Sequence, residues 1–104
     1  MQRVAIAATD GWRDDEIRRV ELAGRAPIAI YKVAGQFYAT DDTCTHGEAS
    51  LADGFLDDFC VVCPFHAGSF DIRTGAPTSS PCHDPLESYP VSVTDGVVFL
   101  EIPD

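Results

Sequence analysis

Two short segments of this chain each carry a cysteine close to a histidine. The first is Cys44-Thr45-His46; after the 16 residues 47–62 comes Cys63-Pro64-Phe65-His66. Cysteine thiolates and neutral imidazoles are ligands for transition metals. Each pair can present both side chains from one loop, and two such loops facing each other make a four-ligand site. Whatever fold the chain adopts must therefore bring those two loops together. A lone cysteine or histidine is read as structural, because buried cysteine commonly serves as a small hydrophobe. Two matched pairs in one small chain shift the reading to ligation.

The rest of the chain reads as all-β. Short apolar segments are broken at close intervals by turn residues. Strands are expected over Val4–Ala8, Ile17–Leu22, Ile28–Val33, Gln36–Thr40, Gly54–Leu56, Cys60–Val62, Ser69–Ile72, Glu87–Val93 and Val97–Ile102. Ala34-Gly35 and Asp95-Gly96 tolerate positive φ and suit hairpin turns. Residues 48–53 allow about one helical turn, and no stretch sustains a helical period. Pro77 to Pro81 reads as a loop unsuited to strand pairing. The 104 residues suffice for one domain, 1–104, with one modest core. Within it, residues 42–84 are poorer in strands and richer in Cys, His, Gly and Pro. They read as a site-bearing subdomain on a β base, a sandwich or barrel, formed by both ends of the chain.

Charge narrows the partners. Seven basic residues face 17 acidic ones, a net charge of -10. Such a surface repels phosphate backbones, so nucleic acid is not an expected partner. Solubility alone accounts for an acidic surface; the sharper reading is steering toward basic patches on partner proteins. No apolar stretch approaches the roughly 20 residues that cross a bilayer, and the run Val4 to Ala8 is too short for a signal-peptide core. Neither a membrane nor export is expected, and the chain is placed in the cytoplasm. In that reducing compartment Cys44, Cys60, Cys63 and Cys82 are more readily ligands or core residues than disulfides. A monomer is expected, since no long exposed apolar pattern asks for a partner.

Ligand type alone leaves zinc and an iron-sulfur cluster comparable, since Cys₂His₂ is a regular tetrahedral zinc set. Zinc fingers, however, usually space two cysteines together and two histidines together. Here each pair mixes the two, which favours the cluster. The pattern Cys-x-His, 16 residues, Cys-x-x-His resembles the Rieske motif. Phe70-Asp71, Thr74-Gly75, the proline-bearing loop to Pro81 and Tyr89-Pro90-Val91 extend the similarity to bacterial Rieske ferredoxins of aromatic-ring dioxygenase systems, whose length also matches.

That resemblance implies a Rieske-like fold and one [2Fe-2S] cluster. Cys44 and Cys63 would hold one iron as thiolates, and His46 and His66 the other as neutral imidazoles, near the surface. Pro81 would belong to a loop that shields the cluster. The implied function is one-electron transfer from a flavin-dependent ferredoxin reductase to a terminal oxygenase, with no catalysis by the chain itself, which has no room for an oxygenase's catalytic domain. Replacing two thiolates by neutral imidazoles makes the centre less negative and raises its potential to roughly -150 to +300 mV. High-potential members of the family carry a disulfide between the ligand loops, but the matching positions here are Ala49 and Phe65. Hydroxyl donors at two further positions are replaced by Gly68 and Phe70. With fewer donors, a potential at the low end is expected.

Two other readings stay open: the Rieske-like small subunit of an assimilatory nitrite reductase, and a structural zinc module that mediates protein contacts. Cys60 is expected to face away from the ligands and pack in the core. Cys82 and His83 are expected to be non-ligands, and a Cys60–Cys82 disulfide is left open. Trp12 is expected to be a packing anchor. Asp14, Asp15, Glu16, Asp57 and Asp58 are expected to be solvated turn charges.

Overall fold

The computed structural model describes residues 2–45, 47, 49–65, 68–80, 82 and 84–103. Among the described residues eleven strands run in chain order: β1 Gln2–Ala8, β2 Glu16–Val20, β3 Ile28–Val33, β4 Gln36–Asp41, β5 Phe55–Asp57, β6 Cys60–Val62, β7 Ser69–Asp71, β8 Pro77–Ser79, β9 Ser88–Tyr89, β10 Val91–Thr94 and β11 Val97–Ile102. A single 3₁₀ turn, Leu51–Asp53, stands where one helical turn was expected. The strands form three antiparallel sheets, ordered β1-β11-β10, β2-β3-β4-β9 and β5-β6-β7-β8.

The architecture turns on β3. Its residues Ile28-Ala29-Ile30-Tyr31 are all fully buried, so both faces of this strand are covered. Side chains alternate across a strand, and the two faces enter different cores. Ile28 and Ile30 pack with Trp12, Ala39, Leu100 and Ile102 against the β1-β11-β10 sheet. Ala29, Tyr31 and Val33 pack with Cys44, Leu51, Val61, Cys63, Phe70, Ile72, Cys82 and Leu86 toward the β5–β8 sheet. A strand buried on both faces reads as a continuous apolar run, not an alternating one, which is how Ile28 to Tyr31 reads. The middle sheet thus joins a β base to the segment that carries both Cys/His pairs. One polar pair in this interior is matched: the Tyr31 hydroxyl and Thr40 Oγ1 hydrogen-bond at 2.7 Å, both fully buried. Burial pushes the Tyr31 phenol well above the ordinary tyrosine range.

Both hairpin turns read from the sequence are present. Ala34 and Gly35 have φ of 51° and 79°, and Asp95 and Gly96 have 52° and 75°. Paired positive φ values give the two-residue turn whose twist matches the flanking strands. Trp12 is a packing anchor as expected. Its Nε1 donates to the Ala8 carbonyl at 2.9 Å, and its ring meets Phe37 edge-on at 5.2 Å.

Two elements differ from expectation. The stretch Glu87–Val93 is two strands, because β9 pairs with β4 in one sheet and β10 with β11 in another. The break falls at Pro90, which has no N–H for a ladder but accepts from the Glu101 N–H at 3.0 Å. Pro77–Ser79, expected as loop, is β8, pairing with β7 through Phe70↔Pro77 and Ser69↔Ser79. It lies at the edge of its sheet, where a proline is tolerated.

Candidate metal centre

The two cysteine-bearing loops are built alike. The Cys44 N–H donates to the Ala49 carbonyl at 3.0 Å, and the Cys63 N–H donates to the Gly68 carbonyl at 2.8 Å. Each bond closes a turn five residues on, with the cysteine at its base. Both turns are held at fixed points. The first is pinned by Asp42, which is 1% exposed. Its carboxylate accepts from Ser50 Oγ at 2.5 Å and from the Ala52 N–H at 2.9 Å, and its carbonyl accepts from the Leu51 N–H at 2.7 Å. Arg19 Nε stands 3.8 Å from the same carboxylate. The second turn continues from β6 and returns into β7. A third segment closes over the first turn: Thr45 Oγ1 donates to the Asp84 carbonyl at 2.7 Å, and the Leu86 N–H donates to the Gly75 carbonyl at 2.8 Å. Gly75 has φ +84° and a Cβ there would lie 2.1 Å from the Leu86 carbonyl oxygen, so only glycine fits this approach.

The structure brings Cys44 and Cys63 together in one core cluster, 2% and 1% exposed. Cys82, 6% exposed, joins them there. The four cysteines form no disulfide, which answers the open question about Cys60 and Cys82. His46, His66, Pro81 and His83 lie outside the described residues. Cys60 faces away from Cys63, as expected, but does not pack in the core as expected. It stands on β6 and is half-buried, outside both core clusters. Its strand alternates around the fully buried Val61, which takes the inward position instead. The Cys82 thiol is pushed up to about 11, first by burial and then by the Cys44 and Cys63 sulfurs, including a hydrogen bond to Cys44.

Asp42 was not singled out in the sequence. Its signal was slight: an acidic residue at the end of a strand, two before the first cysteine, in a chain where most acids are solvated. Only the three-dimensional closure of residues 42–52 shows that its carboxylate replaces missing backbone partners.

Charge is uneven as well. Residues 42–84 hold seven acids (Asp42, Glu48, Asp53, Asp57, Asp58, Asp71, Asp84) and one base, Arg73. That base is neutralised locally, since Arg73 Nη2 and Nε contact the Asp71 carboxylate at 2.8 Å and 3.0 Å. Phe55 and Phe65 are 62% and 74% exposed on the same segment.

The donor set fits a cluster with mixed ligation. Two buried thiols share one core cluster at the bases of two equivalent turns, and each is followed in sequence by a histidine within three residues. Among the described residues, no three Cys, His, Asp or Glu side chains are grouped to hold a metal by themselves. Likewise, no helix among them is long and apolar enough to cross a membrane.

Comparison with known proteins agrees. Residues 2–90 match the family model for the Rieske [2Fe-2S] domain. The chain is 50% identical over 95 residues to ferredoxin CarAc of Metapseudomonas resinovorans, covering 91% of this chain and 89% of that protein. It is 50% identical over 100 residues to the ferredoxin component of the p-cumate 2,3-dioxygenase system of Pseudomonas putida, covering 95% and 85%. Among solved structures it superposes with TM-score 0.91 and 48% identity on a chain of the complex of reduced oxygenase and oxidized ferredoxin in carbazole 1,9a-dioxygenase, covering 94% and 91%. A nitrite reductase NADPH small-subunit protein shares the fold at TM-score 0.83 but only 21% identity. With its two buried thiols and matched turns, its three-sheet architecture and its relatives, this chain belongs to the Rieske [2Fe-2S] domain family and has a Rieske-type [2Fe-2S] cluster as its cofactor.

Proposed function

We propose that the chain is the electron-transfer ferredoxin of a multicomponent aromatic-ring dioxygenase system, working in the cytoplasm and not itself an enzyme. Cys44 and Cys63 are the thiolate ligands, and His46 and His66 the imidazole ligands. The whole chain, 1–104, acts as one domain with residues 42–84 as its cluster-binding part. When bound, the cluster takes up and gives back one electron.

The observation that carries this reading is the pair of matched turns, each closed from its cysteine N–H, with both sulfurs buried in one cluster. Burial of Cys44 and Cys63 keeps water from the sulfur side. Two neutral imidazoles in place of thiolates leave the centre less negative, so an electron is accepted more readily than by an all-cysteine site. The absence of hydroxyls at Gly68 and Phe70 keeps the potential at the low end of the range, as a carrier downstream of a flavin requires. Delivery needs docking that is fast and brief. The excess of six negative charges on residues 42–84 (seven acids against one base) steers this end of the molecule toward basic surfaces on a flavin-dependent ferredoxin reductase and a terminal oxygenase.

Charge reversal at the exposed Asp53 and Asp84 tests the reading. The double variant Asp53→Lys, Asp84→Lys should slow reduction by the reductase and oxidation by the oxygenase about tenfold at low salt. Its rates should also change less with ionic strength than those of the parent, because attraction between exposed charges is screened by salt. Stopped-flow traces that superpose on the parent's at every salt concentration would remove the docking role.

A further inference from the structure

Three hydroxyls meet on the strand that leaves the second ligand turn. Ser69 follows Gly68, whose carbonyl accepts from the Cys63 N–H at 2.8 Å, and it is 9% exposed. Its Oγ hydrogen-bonds Thr78 Oγ1 at 2.6 Å and Ser79 Oγ at 2.8 Å. Neighbouring residues of a regular strand point to opposite faces, so Thr78 and Ser79 could not both reach one hydroxyl. A bulge in β8 allows it. The pairing of β7 with β8 passes from Phe70↔Pro77 to Ser69↔Ser79, which leaves Thr78 as the extra residue. A serine hydroxyl has one proton to donate and two lone pairs to accept with, so it can serve both partners at once. Beyond β8, the Ser79 carbonyl accepts from the Cys82 N–H at 3.1 Å, and the Asp84 carbonyl accepts from Thr45 Oγ1, beside Cys44, at 2.7 Å. The Leu86 N–H then donates to the Gly75 carbonyl. One buried hydroxyl thus stands between the second ligand turn and the chain that is fastened to the first.

We propose that Ser69 is a positioning residue: by holding both Thr78 and Ser79 in the bulge, its hydroxyl keeps the two ligand turns in one fixed relation. The inference rests on the proposed ligand set, with Cys44 on the first turn and Cys63 on the second. A cluster held from two separate turns keeps one geometry only while the turns keep one spacing. Hydrogen bonds outside the ligand shell are what fix such geometry. A bulge adds a residue that the ladder bonds do not pair, and the Ser69 side chain supplies the hold that the ladder lacks there. If the three hydroxyls only satisfied one another, alanine at 69 would cost some stability throughout the domain and leave the geometry of the centre alone.

Hydrogen exchange and EPR of the holoprotein separate these. Exchange is read by mass spectrometry on peptides that contain the Cys82 and Leu86 amides. In Ser69→Ala these amides should exchange about tenfold faster, since two hydrogen bonds of ordinary strength are lost locally. The amides of β3 and β11 should keep their wild-type rates. The EPR lines of the reduced variant should broaden, because turns that shift against each other give a spread of ligand geometries. Thr78→Ser keeps a hydroxyl at the bulge and should match the wild type in both readouts. Unchanged exchange at Cys82 and Leu86, faster exchange spread equally over β3 and β11, or lines as narrow as the wild type's would each assign Ser69 to packing and overturn the proposal. Should Ser69→Ala not fold, the double variant Thr78→Val, Ser79→Ala removes both partners from the exposed side, and the same outcomes decide. Failure of the underlying ligand reading looks different: the wild-type protein itself would then give no mixed-ligand signal, and the proposal would fall with it.

Discussion

Cys63→Ala should leave the purified chain without iron, whereas His66→Cys should keep iron and lower the midpoint potential by on the order of 200 mV. The two variants separate holding the metal from tuning it. Cys63 is 1% exposed and sits at the base of a turn closed by its own N–H, so alanine keeps the turn and removes only the sulfur. The β base should survive, because Trp12, Ile28, Ile30, Ala39, Leu100 and Ile102 form a separate core that does not include Cys63. His66→Cys instead exchanges a neutral ligand for an anionic one. The added charge opposes arrival of an electron, which moves the centre part of the way from the Rieske range toward the roughly -400 mV of all-cysteine plant-type clusters. Iron and sulfide assays with a redox titration check both variants. Iron retained by Cys63→Ala, or an unchanged potential in His66→Cys, would move the ligand set to other residues.

Phe70→Ala should destabilise the protein by about 3–5 kcal/mol, the usual cost of removing a buried aromatic ring. Phe70 is 0% exposed. It stands on β7 between Val61 of β6 and Pro77 of β8, at the centre of the third sheet. Its ring packs in the cluster that contains Tyr31, Ile72, Cys44 and Cys63. The cavity would lie beneath both ligand turns, so iron should also be lost faster on dilution into chelator. Chemical denaturation of the holoprotein measures the first effect and the decay of visible absorbance the second. A loss below about 1 kcal/mol would mean that neighbouring side chains collapse into the space.

How far this was visible in the sequence depends on the range of the interaction. Turns are local, and Ala34-Gly35 and Asp95-Gly96 were legible because positive φ is a property of one or two residues. The run Ile28 to Tyr31 was legible as a strand, but its burial between two sheets appears only once Leu100 on one side and Phe70 on the other are in place. Pro77 and Pro90 misled in opposite directions, the first read as loop and the second run through as strand. Proline forbids a ladder N–H, yet an edge position accommodates it at Pro77, and at Pro90 the chain uses it to pass between sheets.

For the metal centre, the four ligand candidates were legible from spacing and resemblance. The convergence of Cys44 and Cys63 came from the structure, while His46 and His66 remain proposals on the matched pattern. Asp42 was not legible as part of the site. Its role arises from contacts with residues 50 and 52, brought near by the closure of the turn that follows it.

Mixed His/Cys ligation of an iron-sulfur cluster is decided by EPR of the anaerobically purified, reduced protein alongside its metal and sulfide content. Equal amounts of iron and sulfide are expected, with a rhombic spectrum whose average g value lies below that of all-cysteine [2Fe-2S] clusters. Zinc in place of iron, or a spectrum of all-cysteine type, would contradict it.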